Sequence, residues 1–218
     1  MKTLKNDWLI GLIIVSPFVL IAMKWNLFPE RVPMHWNMNG EIDRYGSKIM
    51  GLLLLPGINI LIYLLFLLLP IIDPQRKNYS LFADKFKIIR MMIHLLMTCM
   101  TFIVCLVSLG YELNVGMLVQ LGVVCMMLVF GNFMGSIRKN YFVGVRTPWT
   151  LANEEVWTLT HRFTGKLWVA ASLLMLPVCY FSNGKFDILF FIYIIGIVFV
   201  PIVYSFIKFR QISSGKEA

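Results

Sequence analysis

The stretch Ile49–Ile72, IMGLLLLPGINILIYLLFLLLPII, runs 24 residues without a charge. At 1.5 Å per residue a helix of that length reaches across a hydrocarbon core of about 30 Å. A soluble domain could bury one such helix only beneath elements with polar outer faces. The rest of this chain cannot supply them: 59% of the 218 residues are hydrophobic and 14% are charged, against roughly 25% charged in soluble domains. The stretch therefore reads as a membrane span.

Working outward, Leu113–Met134 is a second uncharged run, of 22 residues. Four further segments fit with less margin. The segment 8–28 carries Lys24 near one end, where a lysine can snorkel to the headgroups. It follows Lys2 and Lys5 as a signal peptide would, but Met23-Lys24-Trp25-Asn26 offers no small-x-small cleavage site, so an uncleaved helix is expected. The segment 88–109 carries Arg90 in its first turn, expected to snorkel, and 186–207 carries Asp187 at its start. The segment 167–182 contains Pro177, with Trp168 and Tyr180 placed as interfacial aromatics; it can begin earlier, as the continuation of a helix from the preceding loop. The expected fold is thus an all-α integral membrane protein, one membrane domain over residues 1–218, with six transmembrane helices at about 8–28, 49–72, 88–109, 113–134, 167–182 and 186–207. The four cysteines all fall inside these spans and read as packing residues, with no disulfide framework or zinc spacing.

Lysine and arginine fix the expected orientation. Fifteen lie in the N-terminus, residues 73–90, residues 135–166 and the C-terminal tail, against five in the other loops. By the positive-inside rule both termini are cytoplasmic, the loop 29–48 is outside and the loop 135–166 is inside. The formal net charge of +9 is then a topological signal that also favours anionic membrane lipids, and no nucleic-acid partner is needed to explain it. The short turns near Gly110–Glu112 and Asn183–Lys185 are too short to hold a site alone.

The outer loop reads P-x-x-V-P-x-H-W-N-x-x-G-x-x-D-x-Y-x-S-K from Pro29 to Lys48. Its two prolines favour extended backbone, and Asn39-Gly40 is a strong hairpin turn signal. Centred there, a small hairpin sets His35 opposite Arg44 and Trp36 opposite Asp43, with Asp43 diagonal to His35. Pro33, His35, Trp36, Asn37, Gly40, Asp43, Tyr45 and Lys48 are the candidate ligand contacts; interfacial anchoring of Trp36 and Tyr45 is the plainer alternative. In the inner loop Gly131 and Gly135 have the small-xxx-small spacing of close helix packing. After Pro148, Asn153 as cap, Glu154 and Glu155 in the first turn, and Arg162 and Lys166 later mark an amphipathic helix. Lying at the interface, it would anchor Trp157. The functional alternative makes Arg138, Lys139 and Arg146 an anion or partner site, with Glu154 and His161 handling protons. With His35 outside, His94 within a span and His161 inside, no metal set forms, and no cofactor is expected.

These two loops together resemble the SdpI family, bacterial polytopic membrane proteins named for immunity to a secreted toxic peptide. The Pro29–Lys48 pattern resembles the family's uncharacterised N-terminal module. The run from Gly131-Asn132 through Arg138, Asn140, Gly144 and Arg146-Thr147-Pro148-Trp149-Thr150-Leu151 to Glu155, Trp157 and His161-Arg162 resembles its second hallmark. Ala152 stands where the pattern suggests a small polar cap. The resemblance implies a multi-pass protein of the bacterial cytoplasmic membrane that protects against, or senses, a membrane-active peptide outside, and in some relatives sequesters a cytoplasmic regulator inside.

Two other functional classes stay open on the sequence. The chain's two halves each place a long loop after their first helix and a leucine-rich step into proline (Pro56, Pro177), which allows a 3+3 inverted repeat. With it comes a transporter or lipid-handling protein, its polar cavity reached by Asn59, His94 or Asn132. An enzyme at the cytoplasmic face would need Glu154, His161 and the arginines to converge on one pocket. The acids and histidines are too sparse at any one depth to favour catalysis.

Overall fold

The computed structural model describes residues 7–37, 40–181 and 188–215. Its elements in order are α1 (Trp8–Lys24), a 3₁₀ turn (Trp25–Leu27), β1 (Arg31–Trp36), β2 (Ile42–Ser47), α2 (Lys48–Ile72), a second 3₁₀ segment (Arg76–Phe82), α3 (Ala83–Ser108), α4 (Val115–Met134), the short α5 (Pro148–Ala152), α6 (Glu154–Phe181) and α7 (Ile188–Ser214). Six of these helices are long and apolar enough to cross a membrane. The one sheet among the described residues is the antiparallel pair β1–β2.

One boundary differs from expectation, and the earlier start open to the fifth span is the one found. The third span starts at Ala83, led in by the 3₁₀ segment. The amphipathic helix expected in the loop is the first half of α6, continuous with the fifth span. Nothing between Glu154 and Pro177 breaks it, because its one glycine there, Gly165, is used for packing. Trp157 is accordingly buried, 1% exposed, and does not act as an interfacial anchor.

Contacts gather the chain into two compact units. One holds the described chain up to Leu67 with Lys87–Val123. Its core joins Ile21, Phe28, Val32, Leu52 and Cys105, so β1 is plugged by Val32 into the α1–α2–α3 packing. Gly51 makes that approach workable, since a Cβ there would run into the Val32 side chain. Polar links reinforce it: the Thr98 hydroxyl of α3 donates to the Ile13 carbonyl of α1 at 3.1 Å.

The other unit holds Leu68–Phe86, Val124–Val178 and the chain from Ile188. Here α4 and α6 touch backbone to backbone. A Cβ on Gly165 would lie 2.7 Å from the Gly131 carbonyl oxygen, and one on Gly131 would lie 2.9 Å from the Val169 nitrogen. The Gly131/Gly135 spacing thus finds its partner in α6, where the Arg162 Cγ would sit 3.2 Å from a Cβ on Gly135. On a neighbouring stripe of α6 the Trp168 indole donates to the Ile197 carbonyl at 2.8 Å, and Ser172 and Tyr193 share a hydrogen bond of 2.9 Å.

The contact predicts opposite effects at two helix glycines. Gly165→Ala should destabilise by about 1–3 kcal/mol, the cost of overpacking against unyielding backbone. Gly57→Ala, where a Cβ meets nothing within 4 Å, should be neutral or stabilise by a few tenths of a kcal/mol to about 1. Thermal unfolding of both variants in one detergent checks the pair.

Candidate functional site

The hairpin 31–47 pairs Pro33 with Tyr45, His35 with Arg44 and Trp36 with Ile42. Trp36 is therefore not opposite Asp43, as a regular register requires. The ladder is irregular on both sides of His35: Met34 is an extra residue on β1, and Asp43 is an extra residue on β2. Such bulges re-aim side chains. Here the result is a direct contact, with His35 Nδ1 2.6 Å from Asp43 Oδ1. At the tip, Asn37 and Glu41 close the loop through the Asn37 N–H on the Glu41 carbonyl (2.8 Å), the Asn37 amide on the Glu41 carboxylate (2.9 Å) and the Glu41 N–H on Asn37 Oδ1 (3.0 Å). Gly40 sits at φ +80°, where glycine is favoured; Asn39 of the expected turn lies outside the described residues.

This geometry divides the expected outer-loop residues. Pro33 is buried. Asn37 and Gly40 shape the tip. Lys48 is 9% exposed, 3.6 Å from Glu30 and 4.9 Å above the Trp25 ring, so it ties the hairpin to its helices. His35, Asp43 and Tyr45 are exposed and Trp36 is half-buried. Trp36, Glu41 and Ile42 also line a cavity of about 470 Å³ whose other wall is Val107 and Tyr111–Val115. The Gly110–Glu112 turn, which cannot hold a site alone, thus adds Tyr111 and Glu112 to the hairpin's surface. Only long-range packing makes that juxtaposition, so no local sequence signal announces it.

Within the spans, Asn59 and His94 meet. Asn59 Nδ2 lies within donating distance of Thr98 Oγ1 (3.2 Å) and the His94 carbonyl (3.4 Å). Its Oδ1 is then the acceptor for His94 Nδ1 at 2.7 Å, which places the ring proton on Nδ1. Both side chains are fully buried. Arg90 does not snorkel: it is 1% exposed and paired with Asp7, the Nη2–Oδ2 distance being 2.5 Å, while its guanidinium lies 5.5 Å from the Tyr63 ring centre. Asn132 is exposed on α4 and donates back to the Leu128 carbonyl at 2.8 Å. Among the described residues no group of three or more metal-ligating side chains converges.

The loop 135–153 is built around two side chains. Asn140, fully buried, accepts from the N–H groups of Phe142 (2.9 Å) and Val143 (2.6 Å) and donates to the carbonyls of Arg138 (2.9 Å) and Val143 (3.0 Å). His161, also fully buried, stacks on Trp157 with ring centres 4.0 Å apart. Its Nδ1 donates to the Trp157 carbonyl at 2.8 Å, and its Nε2 accepts the Val145 N–H at 3.1 Å. Gly144 at φ +109° lets the loop pass over that ring, since a Cβ would strike the imidazole. The Trp157 indole donates to the Ile137 carbonyl at 2.9 Å. Thr147 caps α5 through Thr150, with Pro148 at its first position, and Trp149 packs on Phe206. Asn153 caps α6, accepting from the Glu155 and Val156 N–H groups. Both His161 nitrogens are occupied while Glu154 and Glu155 are exposed, so the acid and base required for catalysis do not meet. Arg138, Arg146 and Arg162 stay exposed.

The model of the SdpI/YfhL protein family matches residues 136–205, and that of a domain of unknown function (DUF1648) matches residues 12–60. Over 197 residues the chain is 30% identical to the immunity protein SdpI of Bacillus subtilis (strain 168), covering 90% of this chain and 92% of that protein. The chain belongs to the SdpI/YfhL protein family. Its family match spans the Asn140 and His161 clusters and continues into α7, while the DUF1648 match takes in most of α1, the hairpin and the first half of α2. No solved structure matches this chain.

In this member of the SdpI/YfhL family, Asn140→Ala should cost about 2–4 kcal/mol, because it leaves two backbone N–H groups without their acceptor. Gly144→Ala should cost at least about 2 kcal/mol through backbone strain and the clash with His161. Loss of folded protein on size-exclusion chromatography and a lowered unfolding midpoint are the expected readouts.

Proposed function

We propose that this protein confers immunity to a membrane-active peptide, with the hairpin and its adjoining cavity as the peptide-facing surface. The observation that carries the reading is the pairing of whole-length similarity to an immunity protein with an exposed His35–Asp43 contact beside Trp36 and Tyr45 on a hairpin anchored to the spans. The hairpin is braced at its base by Lys48 with Glu30 and at its tip by Asn37 with Glu41. A peptide would then meet a preformed surface and little ordering would be lost on binding. Aromatic side chains with a polar rim are the usual composition of such contacts.

The charge asymmetry supports an orientation with both termini in the cytoplasm and the hairpin outside the cell membrane. The Asn140 and His161 clusters then hold the cytoplasmic end of the same protein. On this reading the chain is not an enzyme, and its partners are the peptide and the surrounding lipid.

Expression of the protein in a sensitive bacterial strain should raise the dose of a membrane-active peptide toxin needed to kill it. His35→Ala and Trp36→Ala should each reduce that protection by about tenfold or more, the scale of a central contact residue, at unchanged protein level on immunoblots. Full protection in both variants excludes the hairpin as the recognition surface. A membrane-impermeant thiol reagent should label Tyr45→Cys, and not Arg146→Cys, in intact cells.

A further inference from the structure

Asn78 and Lys139 lie 61 positions apart, yet Asn78 Nδ2 donates to the Lys139 carbonyl at 2.7 Å. Close by, the Tyr141 N–H donates to Asp73 Oδ2 at 2.9 Å. These two bonds stitch the 3₁₀ segment 76–82 to the loop after α4. They bring into one neighbourhood Arg76 and Lys77 from the first and Arg138, Lys139 and Arg146 from the second. All but Lys139 are exposed.

The five cations outnumber the one carboxylate built into the junction, Asp73. Among the described residues none of the five is ion-paired with a carboxylate. Asp73, the acid built into the junction, is 1% exposed and already accepts from the Gln75 N–H, the Tyr79 hydroxyl and the Tyr141 N–H. Nor can the loops relieve the repulsion by spreading, because Asn140 clamps residues 138–143. Arg146 is held in place by one bond, its Nη1 to the Tyr141 carbonyl at 2.8 Å. That bond uses one of the five guanidinium N–H groups and leaves four on an exposed side chain.

The depth of the patch narrows what the anion is. Arg76 follows the end of α2 at Ile72 by four residues, and Arg138 follows the end of α4 at Met134 by four. Both helices have the length and hydropathy of spans, so the cations stand at headgroup level. We infer that this two-loop patch is a binding site for the phosphate of an anionic phospholipid, held as a bound lipid beside the helix ends. The two non-bridging oxygens of a phosphodiester can accept a pair of N–H groups from Arg146, and the acyl chains stay in the bilayer alongside α2 and α4. Soluble phosphate presents the same oxyanion but gains nothing from the adjoining bilayer.

The test uses the full-length chain, without any toxin, in nanodiscs of phosphatidylcholine mixed with phosphatidylglycerol, with retained lipid counted by native mass spectrometry. Phosphatidylglycerol should be enriched around the wild-type protein. R76Q/K77Q/R138Q/R146Q should lower that enrichment by about tenfold or more, since it removes four juxtamembrane cations that draw anionic lipid. R76K/R138K, which keeps the charge and leaves Arg146 in place, should retain most of it. So should K24Q/R31Q/R44Q/K208Q, which removes as many charges elsewhere. Should the first variant fail to fold, R138Q/R146Q with a salt titration of the wild type reads the same site; enrichment should fall in both. Equal enrichment in the wild type and the patch variants overturns the inference, as does an equal loss in the control variant. Displacement of the lipid by millimolar inorganic phosphate, or by polyglutamate, also overturns it, in favour of a soluble anion or an acidic protein.

Discussion

A polar group shut away from water must find its partner within the chain, and that one constraint organises most of what is specific in this structure. Hydrophobicity alone would assemble apolar helices in many rotations and registers. The buried polar contacts choose among them. Asn59 on α2 can satisfy its amide only against His94 and Thr98 on α3, and Thr98 in turn reaches the Ile13 carbonyl of α1. Three helices are thereby fixed in rotation by a chain of hydrogen bonds. Arg90 and Asp7 add a charge pair that neither residue could abandon without leaving a buried ion alone.

The same constraint explains why the loop between α4 and α6 is dense in unusual residues. A short, tightly folded segment has more backbone donors and acceptors than regular structure can pair. Asn140 serves four of them at once, and Asp73 collects three donors drawn from two separate stretches of chain. His161 closes the loop by offering one nitrogen to each side, which is why a glycine must stand at position 144. On the sequence these residues look like chemistry. In the structure they are scaffolding, and their burial is what separates them from the exposed arginines of the same motif.

How far the sequence could be read follows from the range of each interaction. Six spans were legible because length and apolarity are local properties of each segment. The approach of Asp43 to His35 was legible too, since a hairpin centred on one turn brings them near under most registers. Trp36 opposite Ile42 was not, because the offsetting extra residues Met34 and Asp43 depend on how Val32 and Gly51 seat β1 on α2. The Arg90–Asp7 pair was invisible for a different reason: 83 residues separate the partners, and Asp7 reads as the end of a tail. The face shared by Trp157 and His161 could be seen from their spacing. Whether it turned to lipid or to Ile137 and Val145 could not, since that depends on what the preceding loop does.

Function in this chain is then a matter of what the scaffolding leaves over. On the hairpin, Asn37, Glu30 and Lys48 are consumed in bracing, so His35, Asp43, Trp36 and Tyr45 are held out on a surface that their own contacts do not exhaust. At the 76–82 junction the balance is more lopsided. Three donors hold the buried carboxylate of Asp73 and, in doing so, join two basic loops whose cations outnumber it. The positive surface is a direct product of satisfying a buried group. A fold that solves its internal pairing in this way creates an external charge that something outside the chain must answer, and the medium already lying against the ends of α2 and α4 is phospholipid.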